Sequence, residues 1–164
     1  MLRPLLLACF FCMPAFADEP RLYGRYEHIR LEGLDATLKA KMDTGAETAS
    51  LSARDIEIFE REDARWVRFR LAVEGADDRL HERPLLGTSE IKGRAEEGGG
   101  KPGVASRPLI NMDICIADRL HQAEVNLTDR SHFNYPLLIG SKVISQLQAA
   151  IDPARKYTAG QPDC

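Results

Sequence analysis

The chain has 164 residues and a formal net charge of −3, with charges of both signs spread along its length. This length suits one domain with a modest core, and the lack of a basic block argues against a nucleic-acid partner. No apolar run approaches the roughly 20 residues of a membrane-spanning helix, so no membrane span is expected.

The N-terminal segment 1–17 is typical of a secretory signal peptide. Arg3 supplies a short positive region, residues 5–11 are almost wholly apolar, and Ala-Phe-Ala at 15–17 fits a cleavage site. We therefore expect an exported domain over 18–164. A lipoprotein signal ending at Cys9 is the less favoured alternative, because the apolar run before it is very short.

Alternation of apolar and polar residues, together with one continuous apolar run at 135–139, predicts a mainly β domain. The predicted strands, in chain order, are 26–31, 36–42, 67–73, 109–116, 120–127 and 135–139. A turn at 32–35 joins the first two, and 109–127 is expected to form a hairpin. Ser141 is expected to cap a short helix that continues to about Ala150, and Asp152-Pro153 should stop it.

The second predicted strand leads into Asp43-Thr44-Gly45-Ala46, which is the strongest candidate for chemistry. A carboxylate at a strand end can hold or release a proton near water, and a threonine hydroxyl can lock the loop. Glycine lets the backbone turn where a Cβ would clash. A strand ending in Asp-Thr-Gly is how aspartic peptidases present their catalytic carboxylate. Such chemistry needs two carboxylates, and the motif occurs once, so one copy of the chain would supply only one of them.

Segment 87–107 is rich in glycine and poor in apolar residues, and it includes the triplet Gly98, Gly99 and Gly100. It can bury little surface, so we expect it to be mobile and exposed. The sequence fits a simple flexible loop and a flap over a site equally well.

Removal of the signal would leave two cysteines, Cys115 and Cys164. Export permits a disulfide, but two cysteines are not a disulfide framework. Cys115 lies in a strand-like run and should be buried, whereas Cys164 should be mobile. A bond between them, or between the Cys164 residues of two chains, is left open and is not predicted.

A late element, Leu138-Ile139-Gly140, precedes the predicted helix. Together with the Asp43 motif and the glycine-rich segment, it resembles one lobe of the retropepsin-like aspartic peptidases. In those enzymes a hydrophobic-hydrophobic-glycine element runs beneath the catalytic loop. The resemblance implies a single-lobe, mainly β barrel with one short C-terminal helix and a flap, for which the glycine triplet is the candidate.

Longer stretches are similar to one bacterial family labelled ATP-dependent zinc protease. They are KMDTGA at 41–46, ERP at 82–84, RP at 107–108, NLTDR at 126–130, YPLLIG at 135–140 and IDPARKY at 151–157. The similarity covers about 23–157, and the bacterial family implies a periplasmic location.

The family label is not supported by the residues themselves. ATP use would need a phosphate-binding loop such as Gly-x-x-x-x-Gly-Lys-Ser/Thr, which the sequence lacks. His28, His81, His121 and His132 are scattered and lack the spacing of zinc ligands. We therefore expect no metal and no cofactor.

The resemblance implies a homodimer in which each subunit contributes one Asp43 to hydrolyse a peptide or protein substrate. Thr44 would brace the opposite loop, and Gly45 would keep backbone N–H groups near the carboxylates. The resembling enzymes usually place arginine after the late glycine, and here Ser141-Lys142 follows. Lysine lacks the forked geometry of arginine, which leaves dimer strength open.

Two other functions fit the sequence. The first is a catalytically silent peptide-binding or regulatory domain on the same fold, because a fold can persist after its activity is lost. The second, less favoured, is the zinc-dependent protease that the family label names.

Overall fold

The structure is a computed structural model that describes residues 19–92 and 104–164. These residues form a mainly β fold with one short helix, as predicted. The strands are β1 (Arg21–Gly24), β2 (Tyr26–Leu31), β3 (Ala36–Asp43), β4 (Ala49–Arg61), β5 (Ala64–Leu71), β6 (His81–Pro84), β7 (Gly87–Lys92), β8 (Val104–Ile116), β9 (Arg119–Thr128), β10 (Leu137–Gly140) and β11 (Ala149–Asp152), and helix α1 (Ser141–Gln146) follows β10. Within the described ranges no helix has the length and apolar character needed to cross a membrane.

Six strands close into a barrel in the order β10, β3, β2, β8, β9, β4 and back to β10. Strand β10 closes the ring because it pairs with β3 on one side and β4 on the other. It runs parallel to β3, with Gly140 opposite Asp43, and antiparallel to β4, with Leu137 opposite Leu51. This order brings the end of β3 next to the end of β10.

The alternating residues of β8 and β9 fill the barrel. Ile110, Met112, Ile114, Ile116, Ala123, Val125 and Leu127 are all buried. The second part of β8 pairs with β9, from Leu109 opposite Asn126 to Ile116 opposite Arg119, which confirms the predicted hairpin. Burial of each large aliphatic side chain contributes about 1.5–3 kcal/mol relative to exposure, so this hairpin is a main source of core stability.

Strand β4 starts inside the barrel and ends outside it. Its first five residues are buried and most of the others are exposed. A bulge lies between Arg54 and Glu57, where Asp55 has a φ of 53°. Beyond the bulge β4 pairs with β5, and β5 pairs with β6, which makes a three-stranded extension. We did not predict β4 or β6, because charged cross-strand partners such as Glu57 and Arg68 hide the usual alternation.

The described ends of segment 87–107 are paired strands. β7 runs antiparallel to the first part of β8, from Gly87 opposite Leu109 to Lys92 opposite Val104. We expected a mobile segment because it has few apolar residues to bury. Its described ends are instead held by main-chain pairing, which needs no apolar burial. The flap candidates Gly98, Gly99 and Gly100 lie outside the described residues, as does the signal segment 1–17.

The C-terminal strap, defined as residues 153–164, lies along β2. Tyr157 N–H donates to the Tyr26 carbonyl at 2.7 Å, and Asp163 N–H donates to the Ala117 carbonyl at 2.6 Å. A disulfide joins Cys164 to Cys115, with 6.0 Å between the Cα atoms. Cys115 is buried as expected. The expected mobility of Cys164 is wrong, because the strap carries it to the barrel wall.

Helix α1 is shorter than predicted. Gly140, in extended conformation, is its N-cap residue and no side chain caps it, so the predicted capping by Ser141 is wrong. The helix ends at Gln146, and the expected continuation to Ala150 fails because residues 149–152 pair with β1 as strand β11. Gln148 has a φ of 50°, which reverses the chain between the helix and that strand.

Candidate functional site

Asp43 is the last residue of β3 and faces outward. Leu38, Ala40 and Met42 of this strand are buried, so the alternation places Lys41 and Asp43 on the outer face. Asp43 Oδ1 accepts a hydrogen bond from Gly45 N–H at 3.1 Å, and its Oδ2 accepts one from Lys41 Nζ at 2.7 Å. Both carboxylate oxygens therefore have a donor within the same chain.

These contacts favour the charged form of the carboxyl. The Lys41 ammonium lowers the pKa of Asp43 below its usual range, and the Gly45 N–H adds to this effect. Partial burial acts in the opposite direction. Arg130 contributes a smaller attraction from further away. In a single chain, Asp43 is therefore a carboxylate that its two hydrogen-bond donors hold in one orientation.

The predicted Leu138-Ile139-Gly140 element lies directly beneath the Asp43 loop. A Cβ on Gly140 would be 2.6 Å from the carbonyl oxygens of Glu47 and Thr48, so only glycine allows this approach. Ser141 N–H donates to the Ala46 carbonyl at 2.7 Å, and Lys142 N–H donates to the Glu47 carbonyl at 3.1 Å. The first N–H groups of α1 are thus satisfied by the loop, which explains why the helix needs no side-chain cap.

The other predicted site residues differ in position. Thr44 and Gly45 are exposed, whereas Ala46 is half-buried and closes the turn by donating its N–H to the Asp43 carbonyl at 3.3 Å. Lys142 Nζ pairs with Glu124 of the same chain at 2.6 Å. Lys142 therefore already has an acidic partner in its own lobe.

Asn126 supports the loop and was missed as a site residue. It is buried, and its side-chain amide donates to Thr48 Oγ1 at 3.0 Å and to the Ala49 carbonyl at 2.8 Å. Ser50 Oγ donates to Asn126 Oδ1 at 2.9 Å. The only sequence signal was its position in the NLTDR stretch, since an asparagine in a strand is otherwise uninformative.

The sequence alone indicates that Asp129-Arg130 is a local turn or surface pair. The turn is present, because Phe133 N–H donates to the Arg130 carbonyl at 2.8 Å, but a surface position for the Arg130 side chain is wrong. Only 7% of it is exposed, and its guanidinium carbon lies 4.5 Å from the centre of the Phe133 ring. Burial, the nearby Arg107 charge and Asp43 act on its pKa, and the net effect is a lowering. Arg130 lines a cavity of 330 Å³ beside the loop, together with Gly45, Ala46, Ser89 and Arg107.

The histidines lie in separate environments. His28 stacks on Tyr157, and His81 packs against Phe69. Burial lowers the pKa of His81 and of His121. Within 19–92 and 104–164, no group of three or more His, Cys, Asp or Glu side chains is arranged to hold a metal ion.

Comparison with known proteins places this arrangement in a family. The family described as "Retropepsin-like aspartic endopeptidase RimB" matches residues 22–162. The chain belongs to the RimB-like family. This match confirms the resemblance drawn from the Asp43 motif and the late glycine element.

Curated relatives of this RimB-like chain carry another name. Proteins named "Probable alpha-L-glutamate ligase" are 27% identical over 124 residues in Shewanella halifaxensis and 28% identical over 143 residues in Parasynechococcus marenigrum. These alignments cover 76% and 85% of the chain but only 26% and 29% of the relatives. The similarity is therefore to a part of those larger proteins.

A solved structure has the same fold. A protein of unknown function from Legionella pneumophila subsp. pneumophila is 32% identical, with a TM-score of 0.70. The alignment covers 85% of the RimB-like chain and 98% of the Legionella chain.

Proposed function

We propose that this RimB-like protein is a periplasmic aspartic endopeptidase that acts as a homodimer. The observation that carries the proposal is the oriented Asp43 carboxylate at the end of β3, on a loop packed over Gly140. The family match supports the same chemistry. Export rests on the signal-like sequence of residues 1–17.

In the proposed dimer the two Asp43 carboxyls meet at the two-fold axis. Two carboxyls in contact cannot both ionise cheaply, so they share one proton. The ionised member takes a proton from a water that attacks the scissile carbonyl, and the protonated member polarises that carbonyl oxygen. The tetrahedral intermediate then collapses, with a proton passing to the leaving amine. Gly45 N–H keeps each carboxylate oriented throughout.

The surroundings of Asp43 suit an extended peptide. The 330 Å³ cavity beside the loop is lined by Ser89 and Arg107 of the β7–β8 hairpin as well as by the loop itself. A peptide held between the hairpin and the loop would add main-chain hydrogen bonds of the β type. The substrate is therefore a peptide or an unfolded segment of a protein.

The test compares cleavage products from a proteome-derived peptide library. Wild-type protein covering 18–164 should generate new peptide termini. Asp43→Asn should generate none, because the amide cannot accept the water proton. Asp113→Asn changes an exposed aspartate on β8 and serves as the matched control, with unchanged products. Continued cleavage by Asp43→Asn would refute the proposal.

Mixing the wild type with Asp43→Asn under subunit exchange tests the shared site. If both Asp43 residues are needed, an equimolar mixture should show about a quarter of the activity of pure wild type at the same total protein concentration. The reason is that only dimers of two wild-type chains would be active, and random exchange makes these about a quarter of all dimers. Half of the activity would show that each chain works alone.

A second candidate is a peptide-binding domain without catalysis. The Lys41–Asp43 ion pair favours it, because Asp43 Oδ2 already has a cationic partner in the separate chain. Calorimetry with library-derived peptides would support binding alone if Asp43→Asn retained affinity and the wild type gave no products.

A further inference from the structure

Lys41 is in direct contact with the candidate catalytic carboxylate. It lies two residues before Asp43 on the same outer face of β3, and its Nζ is 2.7 Å from Asp43 Oδ2. The exposed fractions of the two side chains are 47% for Lys41 and 24% for Asp43. The carboxylate end of the pair is thus partly shielded from water, where an opposite charge acts more strongly than at an open surface.

Other charged groups surround the loop from several elements. They are Glu47 in the loop, Glu90 on β7, Arg107 on β8, Arg130 after β9, and Lys142 on α1, which pairs with Glu124. Lys41 donates a side-chain hydrogen bond to Asp43 and has the largest effect on its pKa. Arg130 attracts Asp43 more weakly, and Arg107 acts on Arg130. The cations therefore dominate, with Lys41 first.

We propose that Lys41 is a positioning residue that holds the Asp43 carboxyl in its ionised orientation, and so restricts the singly protonated Asp43 pair to a lower pH range. The inference rests on the proposed function, because it concerns the pair formed in the dimer.

The effect of Lys41 follows from the number of protons on the pair. Catalysis uses the form with one proton on two carboxyls, and the two proton losses that bound this form belong to the pair as a whole. A cation in contact stabilises each more negative form, so both losses occur at lower pH. The Lys41 of each subunit would act in this way. The bell-shaped activity profile should therefore lie further towards acid than it would without Lys41.

The test measures kcat and KM against pH for three variants. Lys41→Met removes the charge and keeps most of the side-chain length, and both limits of its profile should rise by about one pH unit. Lys41→Arg restores a cation and should return the limits towards the wild type. Lys39→Met is the matched control, since Lys39 is exposed on the same face and should leave the profile unchanged.

A second readout does not depend on activity. Carbon-13 NMR can follow the titration of the Asp43 carboxyl in the purified protein. It should titrate at higher pH in Lys41→Met than in the wild type, whereas Lys39→Met should match the wild type. This readout still decides the role of Lys41 if Asp43→Asn retains cleavage and the proposed function fails.

Two results would overturn the inference. One is a Lys41→Met profile and carboxyl titration that superimpose on those of the wild type. The other is an unchanged profile with a KM increase confined to peptides carrying acidic residues, which would make Lys41 a substrate contact.

Discussion

Glu27 is a fully buried carboxylate that joins β2 to the C-terminal strap. Its Oε1 accepts hydrogen bonds from Gly24 N–H at 2.6 Å, from Thr158 N–H at 3.1 Å and from Thr158 Oγ1 at 2.7 Å. Its Oε2 accepts one from Ala159 N–H at 3.1 Å. Several donors on one carboxylate can offset the cost of burying its charge.

We predict that Glu27→Gln destabilises the fold. The glutamine amide brings N–H groups to a place where all partners are donors, so the free energy of unfolding should fall by about 1.5–3 kcal/mol. Glu32→Gln, at the partly exposed Arg30–Glu32 pair, should cost about 0–1 kcal/mol. Urea unfolding measures both, and equal losses would contradict the assigned role of Glu27.

His81 should make stability depend on pH. Its Nε2 is buried without a hydrogen-bond partner, and burial lowers its pKa below the ordinary 6.5. The unfolded chain therefore binds the proton at higher pH than the folded chain. The contribution of neutral His81 to the free energy of unfolding is therefore fully present above pH 6.5 and is lost progressively as pH falls below that value.

The corresponding variant is His81→Phe, which cannot take up a proton and suits the contact with Phe69. Its unfolding free energy should fall less than that of the wild type between pH 7 and pH 5. Some slope should persist, because burial also lowers the pKa of His121. Parallel curves for the two proteins in urea titrations across this range would contradict the prediction.

At the scale of the elements, β10 and α1 can pack against the Asp43 loop only because residue 140 is a glycine and has no side chain. Gly140→Ala would place a Cβ 2.6 Å from two backbone oxygens, which cannot move without shifting the loop. We expect the free energy of unfolding to fall by about 1–3 kcal/mol, typical of overpacking, and the proposed peptide cleavage to slow. Gly87→Ala is the matched control, since a Cβ added at Gly87 would meet nothing within 4 Å. Thermal melts that shift equally for both variants would rule out this steric explanation.

Elements with strict alternation could be predicted from the sequence, and those organised by distant contacts could not. The buried face of the β8–β9 hairpin is visible in the sequence as alternating apolar residues between Ile110 and Leu127. The outer half of β4 depends instead on charged pairs with β5, and the start of α1 depends on carbonyls of the Asp43 loop. Neither the β5 partners of β4 nor the loop carbonyls that bind α1 can be inferred from the sequence of the segment itself.

The candidate site shows the same division. The Asp43 motif and Leu138-Ile139-Gly140 could be identified because they resemble the catalytic motif and the late glycine element of retropepsin-like peptidases. Arg130 and Asn126 were missed because their roles depend on burial after folding. An arginine next to an aspartate in the sequence ordinarily indicates a solvated turn.

At the scale of the whole molecule, the disulfide holds the C-terminal strap to the barrel. Cys115 and Cys164 are 49 residues apart in sequence, so their bond restricts the unfolded chain considerably. Cys164→Ala should therefore lower the unfolding free energy by about 2–4 kcal/mol. Denaturant unfolding with and without a thiol reductant gives the control. The reductant should destabilise the wild type and leave Cys164→Ala unchanged. A wild-type unfolding free energy that does not change with the reductant would contradict a formed bond.

The closure of the barrel by β10 also has a kinetic consequence. Residues 137–140 insert between β3 and β4, whose partner positions lie roughly 90 residues earlier in the chain. The ring cannot form until this late segment meets the early ones, and the loss of chain entropy precedes the gain in contacts. Refolding should accordingly be slow, on the order of milliseconds to seconds. Until then the edges of β3 and β4 stay open to other chains, so aggregation during refolding should increase with protein concentration.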